Sequence, residues 1–451
     1  MTVLGSDPIP VDLGDNLVLR FAQSDDIDAV AEFNARITDD PKVSVWTQDL
    51  MSGRHPTTQA SDFTVVEDTH AQKIVSSMCL ISQTWAYGGI PFKLGRPEIV
   101  MTDPAYRRRG LVRKQFEVIH ALSSSKGELM QAISGIPWFY RQFGYEMAMN
   151  RFGTQSIYQI HIPKLGDNKT ENYRVRPMET RDHAFIREVC DNAIHRQPFA
   201  ALRSAAEWDY ELKGNSQNSS AQLEWLIIEA TSGERLGYVQ YFAGVFGAKL
   251  SVQMLELKPG FSYLNLMPSI LRGLWEHAQK RFAKGDYPVR EMPRHQSPEE
   301  LHGLAFALGL EHPAYDALPK NGVVETKPWA WYIRVPNIVA FLRHVQPALE
   351  KHLTEGPAAG YSGTLKLNFY RSGIQLVLER GQITDISDWS PETVFDGDAK
   401  FPDLTFLQLL CGRRRFNELA DNFADCLGRD DAATLLDNLF PPFTGHVWVL
   451  S

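Results

Sequence analysis

Glu98-Ile99-Val100-Met101-Thr102-Asp103-Pro104-Ala105-Tyr106-Arg107-Arg108-Arg109-Gly110-Leu111-Val112-Arg113 decides how the rest of the chain is read. Its first five residues alternate and are rich in β-branched side chains, which predicts a strand. Asp103-Pro104 ends that strand, because proline fixes φ and removes a ladder donor. Arg107 to Gly110 then lead into a segment with apolar residues at Val112, Phe116 and Ile119, a helical spacing. The order is therefore strand, tight basic loop, helix N-terminus. A glycine lets the backbone approach a ligand, and the free N–H groups of a first helical turn point at it. Helix dipole and arginines add positive potential at the same point, which suits a diphosphate. A basic surface loop capping a helix is the bland alternative.

The full length of 451 residues calls for two to three domains. No apolar run reaches 18 residues, and the start Met1-Thr2-Val3-Leu4-Gly5-Ser6-Asp7 lacks a basic region followed by an apolar one, so neither a membrane span nor a secretion signal is expected. Cys79, Cys190, Cys411 and Cys426 are scattered without a CxxC pair, which reads as reduced thiols in a cytoplasmic protein. A formal charge of −8 argues against general nucleic-acid binding and is compatible with a cationic substrate in an acidic cleft. The histidines show no HExxH or other ligand spacing, and no metal is expected.

Leu17 to Phe21 reads as a strand, with Ser24 or Asp25 capping a helix whose stripe is Ile27, Val30, Ala31 and Phe33. Phe63–Glu67 and Lys73–Ile81 flank a polar turn as a hairpin, and Leu129–Ser134 is a further short strand. From Asn172 the opening recurs. Arg176 and Asp182 stand six apart, as Arg20 and Asp26 do, and each Asp precedes a helical stripe. A hairpin at 225–241 and a strand at 252–257 follow, but the next loop is Lys258-Pro259-Gly260-Phe261-Ser262-Tyr263, bulky and short of positive charge. Residues 34–62 read as loops carrying Asp39, Asp40 and Trp46 toward a cation. Trp329 to Leu353 reads as helical, with Ile338, Phe341, Leu342, Val345, Leu349 and Leu353 at helix spacing. Strands are expected at 363–370, 374–379 and 382–385, then short helices from Phe401.

The stretch Arg107-Arg108-Arg109-Gly110-Leu111-Val112 resembles motif A of the GCN5-related N-acetyltransferases (GNAT), Gln/Arg-x-x-Gly-x-Gly/Ala, with Val112 where a small residue is usual. Tyr140-Arg141-Gln142-Phe143-Gly144-Tyr145-Glu146 resembles the closing pattern Tyr-x-x-x-Gly-Phe/Tyr-Glu of that superfamily. The paired units and the segment after Gly356 resemble the Eis-like (enhanced intracellular survival) architecture. The resemblance implies an α/β (α+β) chain of tandem GNAT-like acyltransferase units with a sterol-carrier-protein-like C-terminal α+β domain. The expected divisions are 1–157, 158–334 (a degenerate second unit) and 335–451. It implies acetyl-CoA as co-substrate, held by the amides and side chains of Arg107, Arg108, Arg109, Gly110, Leu111, Val112 and Arg113, by the strand edge Val100, Met101 and Thr102, and by Ser134.

On the same resemblance, Tyr140 would protonate the departing thiolate, with a structural ring as its other reading. The base is open between the terminal carboxylate of Ser451, Glu98 and water. The acceptor would be a small-molecule amine, such as an aminoglycoside or polyamine-like compound, or a lysine side chain. A non-catalytic coenzyme A-sensing or ligand-binding protein is the alternative. Neither nucleic acid nor membrane is expected as a partner, and a homo-oligomer stays open.

Overall fold

The computed structural model of the chain describes residues 9–194, 196–246, 248–283 and 300–449. The first unit holds β1 (Val11–Gly14), β2 (Leu17–Phe21), α1 (Ile27–Thr38), α2 (Pro41–Met51), β3 (Phe63–Asp68), β4 (Lys73–Tyr87), β5 (Ile90–Thr102), α3 (Leu111–Ser125), β6 (Met130–Ile133), β7 (Glu146–Arg151) and β8 (Thr154–Tyr158). The second holds β9 (Tyr173–Pro177), α4 (His183–Ile194), β10 (Phe199–Leu202), α5 (Ala205–Asp209), β11 (Leu223–Ala230), β12 (Arg235–Phe246), β13 (Lys249–Leu257), α6 (Tyr263–Ala283), β14 (Gly303–Phe306), β15 (Val323–Thr326) and β16 (Trp329–Arg334). The third holds α7 (Ile338–His344), α8 (Gln346–Thr354), β17 (Gly363–Asn368), β18 (Gly373–Glu379), β19 (Gln382–Trp389), β20 (Ala399–Lys400), α9 (Phe406–Leu410), α10 (Phe416–Asn422), β21 (Leu427–Gly428) and α11 (Asp430–Leu439). The chain is mixed α/β, and none of its described helices is long and apolar enough to cross a membrane.

The described strands form three sheets. The first runs β1-β2-β3-β4-β5-β6-β16-β7, with β10 added to the far end of β4. The second runs β9-β11-β12-β13-β14-β8-β15, and the third β19-β18-β17-β20-β21. Set side by side, the first two have one plan, and each is completed by a strand of the other. β16 lies between β6 and β7 of the first sheet, pairing Tyr332 with Ile133 and Trp331 with Met149. β8 lies between β14 and β15 of the second, pairing Ser156 with Ala305 and with Val324. The expected divisions near 157 and 334 are thus crossed by an exchanged strand in each direction.

The repeated Arg–Asp spacing has a physical content. Arg20 donates to Asp26 at 2.7 Å and to Glu67 on β3 at 3.0 Å. Arg176 donates to Asp182 at 2.7 Å and to Glu229 on β11 at 2.8 Å. In both units one guanidinium ties the opening strand to its neighbour and to the turn that starts the helix. Both carboxylates are held below their ordinary range. For Asp26 the Arg20 bond is the main cause; for Asp182 burial pushes upward, but Arg176 and backbone donors outweigh it.

Two expectations are corrected. Residues 34–62 are not all loop, because α1 continues to Thr38 and α2 spans 41–51. Asp40 is the N-cap of α2, accepting the Lys42 N–H at 2.9 Å, and Pro41 sits at its first position. Asp39 closes α1 at φ +54°. The Asp40 carboxylate is thus engaged by the backbone of its own helix. Trp329 to Arg334 are strand, not helix: aromatic and β-branched residues dominate, and the helix starts only after Asn337, which caps it through Ala340 N–H at 2.8 Å. From Ile338 onward the helical stripe is as read. Phe341, Leu342, Val345, Leu349 and Leu353 are fully buried in a core shared with Trp85, Leu94 and Trp331 of the first sheet. The third unit thus packs against the first sheet. All four cysteines are free and buried.

Candidate functional site

β5 and β6 run parallel but pair only at Leu94–Met130 and Gly95–Gln131. From Arg96 onward they diverge. Within the divergent part the β4–β5 register slips between Ser77 and Cys79, and Ile99 takes φ +51°, a conformation costly for a β-branched residue. The bulge buries Ile99 among Val30, Phe33 and Phe63, while Val100, Met101 and Thr102 face a groove.

That groove, about 680 Å³, holds most of the residues expected at the coenzyme site: Val100, Met101, Thr102, Arg107, Arg108, Gly110, Leu111, Val112 and Arg113. The loop turns through Arg108 at φ +66° and Gly110 at φ +76°, and a Cβ on Gly110 would meet no atom within 4 Å. The first helical hydrogen bond of α3 runs from Lys114 N–H to Gly110 O at 3.1 Å, so the N–H groups of Leu111 to Arg113 lie ahead of it. No side chain caps this end. Helix dipole, open amides and exposed guanidinium groups converge there, a combination that receives phosphate.

Two expected residues sit elsewhere. Arg109 does not line the groove itself but lies at 5.2 Å over the ring of Tyr106, which does line it and donates to Asp68 at 2.7 Å. Ser134 lines a different cleft and accepts a hydrogen bond from Arg151. Ile136, Phe139, Gln142 and Phe143 also line the groove and were not anticipated. Gln142 and Phe143 fall inside the closing pattern and Ile136 and Phe139 just before it, which was the signal that could have found them.

Tyr140 is buried, 4% exposed, among Phe116, Phe139, Tyr145 and Tyr332. Its hydroxyl lies beside Gly135, where a Cβ would come within 3.2 Å of it. In sequence, Gly135 stands between Ser134, which lines the second cleft, and Ile136, which lines the groove. Burial pushes the phenol up from its ordinary value; the charge of Glu98 adds to this and the Ile136 N–H opposes it. The tyrosine therefore stays protonated at neutral pH.

The second cleft, about 160 Å³, draws its walls from well-separated parts of the chain. Trp46 comes from α2, Arg96 and Glu98 from β5, and Trp331 from the exchanged strand. Ala221 and Phe242 come from the second unit, and His446 to Val449 from the C-terminal segment. Arg96, only 2% exposed, is ion-paired with Glu98. Arg96 and Arg151 lie over the Trp331 ring at 5.5 and 4.6 Å. The anticipated acidic cleft is thus not what the described residues build: Glu98 is their single carboxylate here, beside two guanidinium groups. The C-terminal segment is buried here as far as Val449, which is 7% exposed. Ser451 lies outside the described residues. Arg96, Arg151, Trp331 and His446 were missed because nothing local marks them; strand exchange and chain return bring them together.

The second unit has the same divergence, β13 pairing β14 from Lys249 to Val252 and parting after it. There the gap is plugged. Tyr263, the first residue of α6, turns its hydroxyl to the Leu257 N–H and the Leu255 carbonyl, both at 3.4 Å, and to Glu256 at 3.2 Å. Glu256 is also bound by Arg196 at 2.7 Å and by His312 at 3.2 Å. Burial pushes Glu256 upward, but His312 and Arg196 together hold it below its ordinary value. Tyr315, in the short helix corresponding to that of Tyr140, accepts from Leu308 N–H at 2.9 Å and meets the Phe306 and Gly153 carbonyls at 2.6 Å. Its hydroxyl is fully engaged.

Residues 18–148 match the family model described as an acetyltransferase (GNAT) domain. Among solved structures, the chain is similar to a GCN5-related N-acetyltransferase from Anabaena variabilis, at 12% identity, TM-score 0.64 and coverage of 96% of this chain and 99% of that one. It is similar to a conserved protein of unknown function from Enterococcus faecalis, described as a probable N-acyltransferase, at 14% identity, TM-score 0.64 and coverage of 96% and 100%. It is also similar to Eis1 from Mycobacterium abscessus, at 12% identity, TM-score 0.57 and coverage of 95% and 98%. At these identities the likeness is one of fold. No curated protein matches the sequence.

Proposed function

We propose that the chain is an acetyl-CoA-dependent N-acetyltransferase whose first unit moves an acetyl group onto a primary amine by direct attack on the thioester. The observation that carries this reading is that β5 lines two cavities in succession: Arg96 and Glu98 face a cleft with a carboxylate, and Val100 to Thr102 face an arginine-lined groove at a helix N-terminus. Arg107, Arg108, Arg113 and the first-turn amides of α3 hold the pyrophosphate. The diverging edge at Val100 to Thr102 receives the pantetheine as an added strand. Glu98 receives the acceptor's ammonium and takes its proton directly or through a water. The free amine then attacks the thioester carbonyl, its oxygen stabilised by a backbone N–H of the β5 edge. The C–N bond forms, the C–S bond breaks, Tyr140 gives its proton to the thiolate, and the extra proton on the newly acylated nitrogen leaves through water, which restores the phenol. Holding both reactants in adjoining cavities supplies much of the rate.

On this reading the second unit is scaffold and wall. Residues 335–451 are sterol-carrier-protein-like in shape and structural in role, since their helical stripe is spent in the core. The four buried thiols are those of a cytoplasmic enzyme.

The test is thiol release from acetyl-CoA against an amine panel, with the N-acetyl product identified by mass spectrometry. Coenzyme binding without amine-stimulated release would leave a coenzyme-sensing protein instead. For the base, Glu98→Gln is compared with deletion of Leu450-Ser451. The larger loss in kcat is expected from Glu98→Gln; the reverse order moves the role to the Ser451 carboxylate.

A further inference from the structure

We infer that the acceptor is a monoamine carrying one planar ring on a short chain, and that polycationic amines are excluded. This rests on the acyl-transfer reading of the same cleft and adds the chemistry of its ligand. Three observations lead there. The first is size: about 160 Å³ is close to the roughly 150 Å³ that accommodates one benzene ring, and far below a multi-ring sugar. The second is the wall, where the indoles of Trp46, Trp331 and Trp448 and the ring of Phe242 line the cleft, flat apolar surfaces that favour a flat apolar ligand.

The third is charge and hydrogen-bond balance. Among the described residues the cleft has a single carboxylate, Glu98, enough for one ammonium, whereas Arg96 and Arg151 oppose a second positive charge. The indole N–H groups of Trp46, Trp331 and Trp448 are buried and have no acceptor among the described residues. Beside these three donors, the neutral ring of His446, also buried and without a partner among the described residues, adds one donor and one acceptor, so donors exceed acceptors in this set. A donor-rich polyamine or amino sugar meets few acceptors here, while a ring bearing a hydroxyl or carbonyl can accept from the wall.

The experiment is calorimetric titration of the coenzyme A-saturated protein with 2-phenylethylamine, tyramine, spermidine and kanamycin, in parallel with thiol release from acetyl-CoA. The two ring-bearing monoamines are expected to bind at least 100-fold more tightly than spermidine or kanamycin. Trp46→Ala is expected to weaken them at least 10-fold while coenzyme affinity stays as it was, which also reports that the variant is folded. Equal or tighter binding of spermidine or kanamycin overturns the inference, as does failure of both ring-bearing amines to bind. Binding of the ring-bearing amines without thiol release would sink the transfer reaction while leaving the ligand class standing.

Discussion

The first two units share a strand plan, an Arg–Asp–Glu tie at the same place and a parting of two parallel strands, yet only the first has a wide groove at the parting: about 680 Å³ against about 50 Å³. In the first, the loop into α3 is short and basic, and its glycine leaves room in front of the helix amides. In the second, Tyr263 occupies the strand edge, with its hydroxyl among Leu255, Glu256 and Leu257, and Arg196 and His312 neutralise the buried carboxylate. The lesson is that a binding groove is not made by the fold but by what the loop after the fourth core strand declines to put there. The plugged copy gains a buried polar cluster, and the open copy keeps a strained Ile99 and an uncapped helix end.

The sharpest way to break that contrast is to disable one groove and then the other. Reversing Arg107 and Arg108 to Glu should weaken acetyl-CoA binding at least about 100-fold, because each lost charge-assisted bond is worth about 1.5–3 kcal/mol. Gly260→Trp in the second unit should leave coenzyme affinity unchanged, and isothermal titration of both variants decides. Next in size, Tyr140→Phe should lower kcat about 100-fold with coenzyme affinity nearly as before, the scale of a lost general acid. Tyr315→Phe should leave kcat alone. Instead it should cost about 1–3 kcal/mol of stability in urea melts, since its hydroxyl partners at Leu308, Phe306 and Gly153 would be orphaned.

A smaller effect concerns acid. His55 and His120 are pushed down to about 3, burial being the main cause, and His446 is pushed down the same way. Each stays neutral in the folded chain where the unfolded chain would be protonated. Stability is therefore full above about pH 6.5 and is lost as pH falls toward the folded values, by about 1.4 kcal/mol per pH unit for each histidine. Urea midpoints between pH 7 and 5 should fall accordingly. All three lie in or against the first unit, and His120→Gln should flatten the fall.

What could be read from the chain was whatever lies within one or two consecutive elements. The strand, arginine loop and helix at 98–113 are contiguous, and so are the hairpins and the Arg-x5-Asp openings. The helix α2 was legible in principle from Asp40-Pro41, a cap followed by proline at the first position, but the polar surroundings masked it. Trp329 to Arg334 misled because their periodicity continues into a true helical stripe, and only Pro336-Asn337 separates them. The aromatic cleft was beyond reach. Trp46, Glu98, Trp331 and Trp448 are brought together by strand exchange and by the return of the chain end, and neither leaves a local pattern.

The traded strands have a further consequence. Since Trp331 must find Met149 and Ile157 must find Val323 and Leu304, neither half can finish its hydrogen-bond ladder until more than three hundred residues have been made. Cutting the backbone near residue 166 and purifying the pieces apart should yield two insoluble fragments, each with a gap next to its last strand. Mixed during refolding, the same pieces should complement one another into an active particle, so the smallest inheritable unit of this protein is the pair.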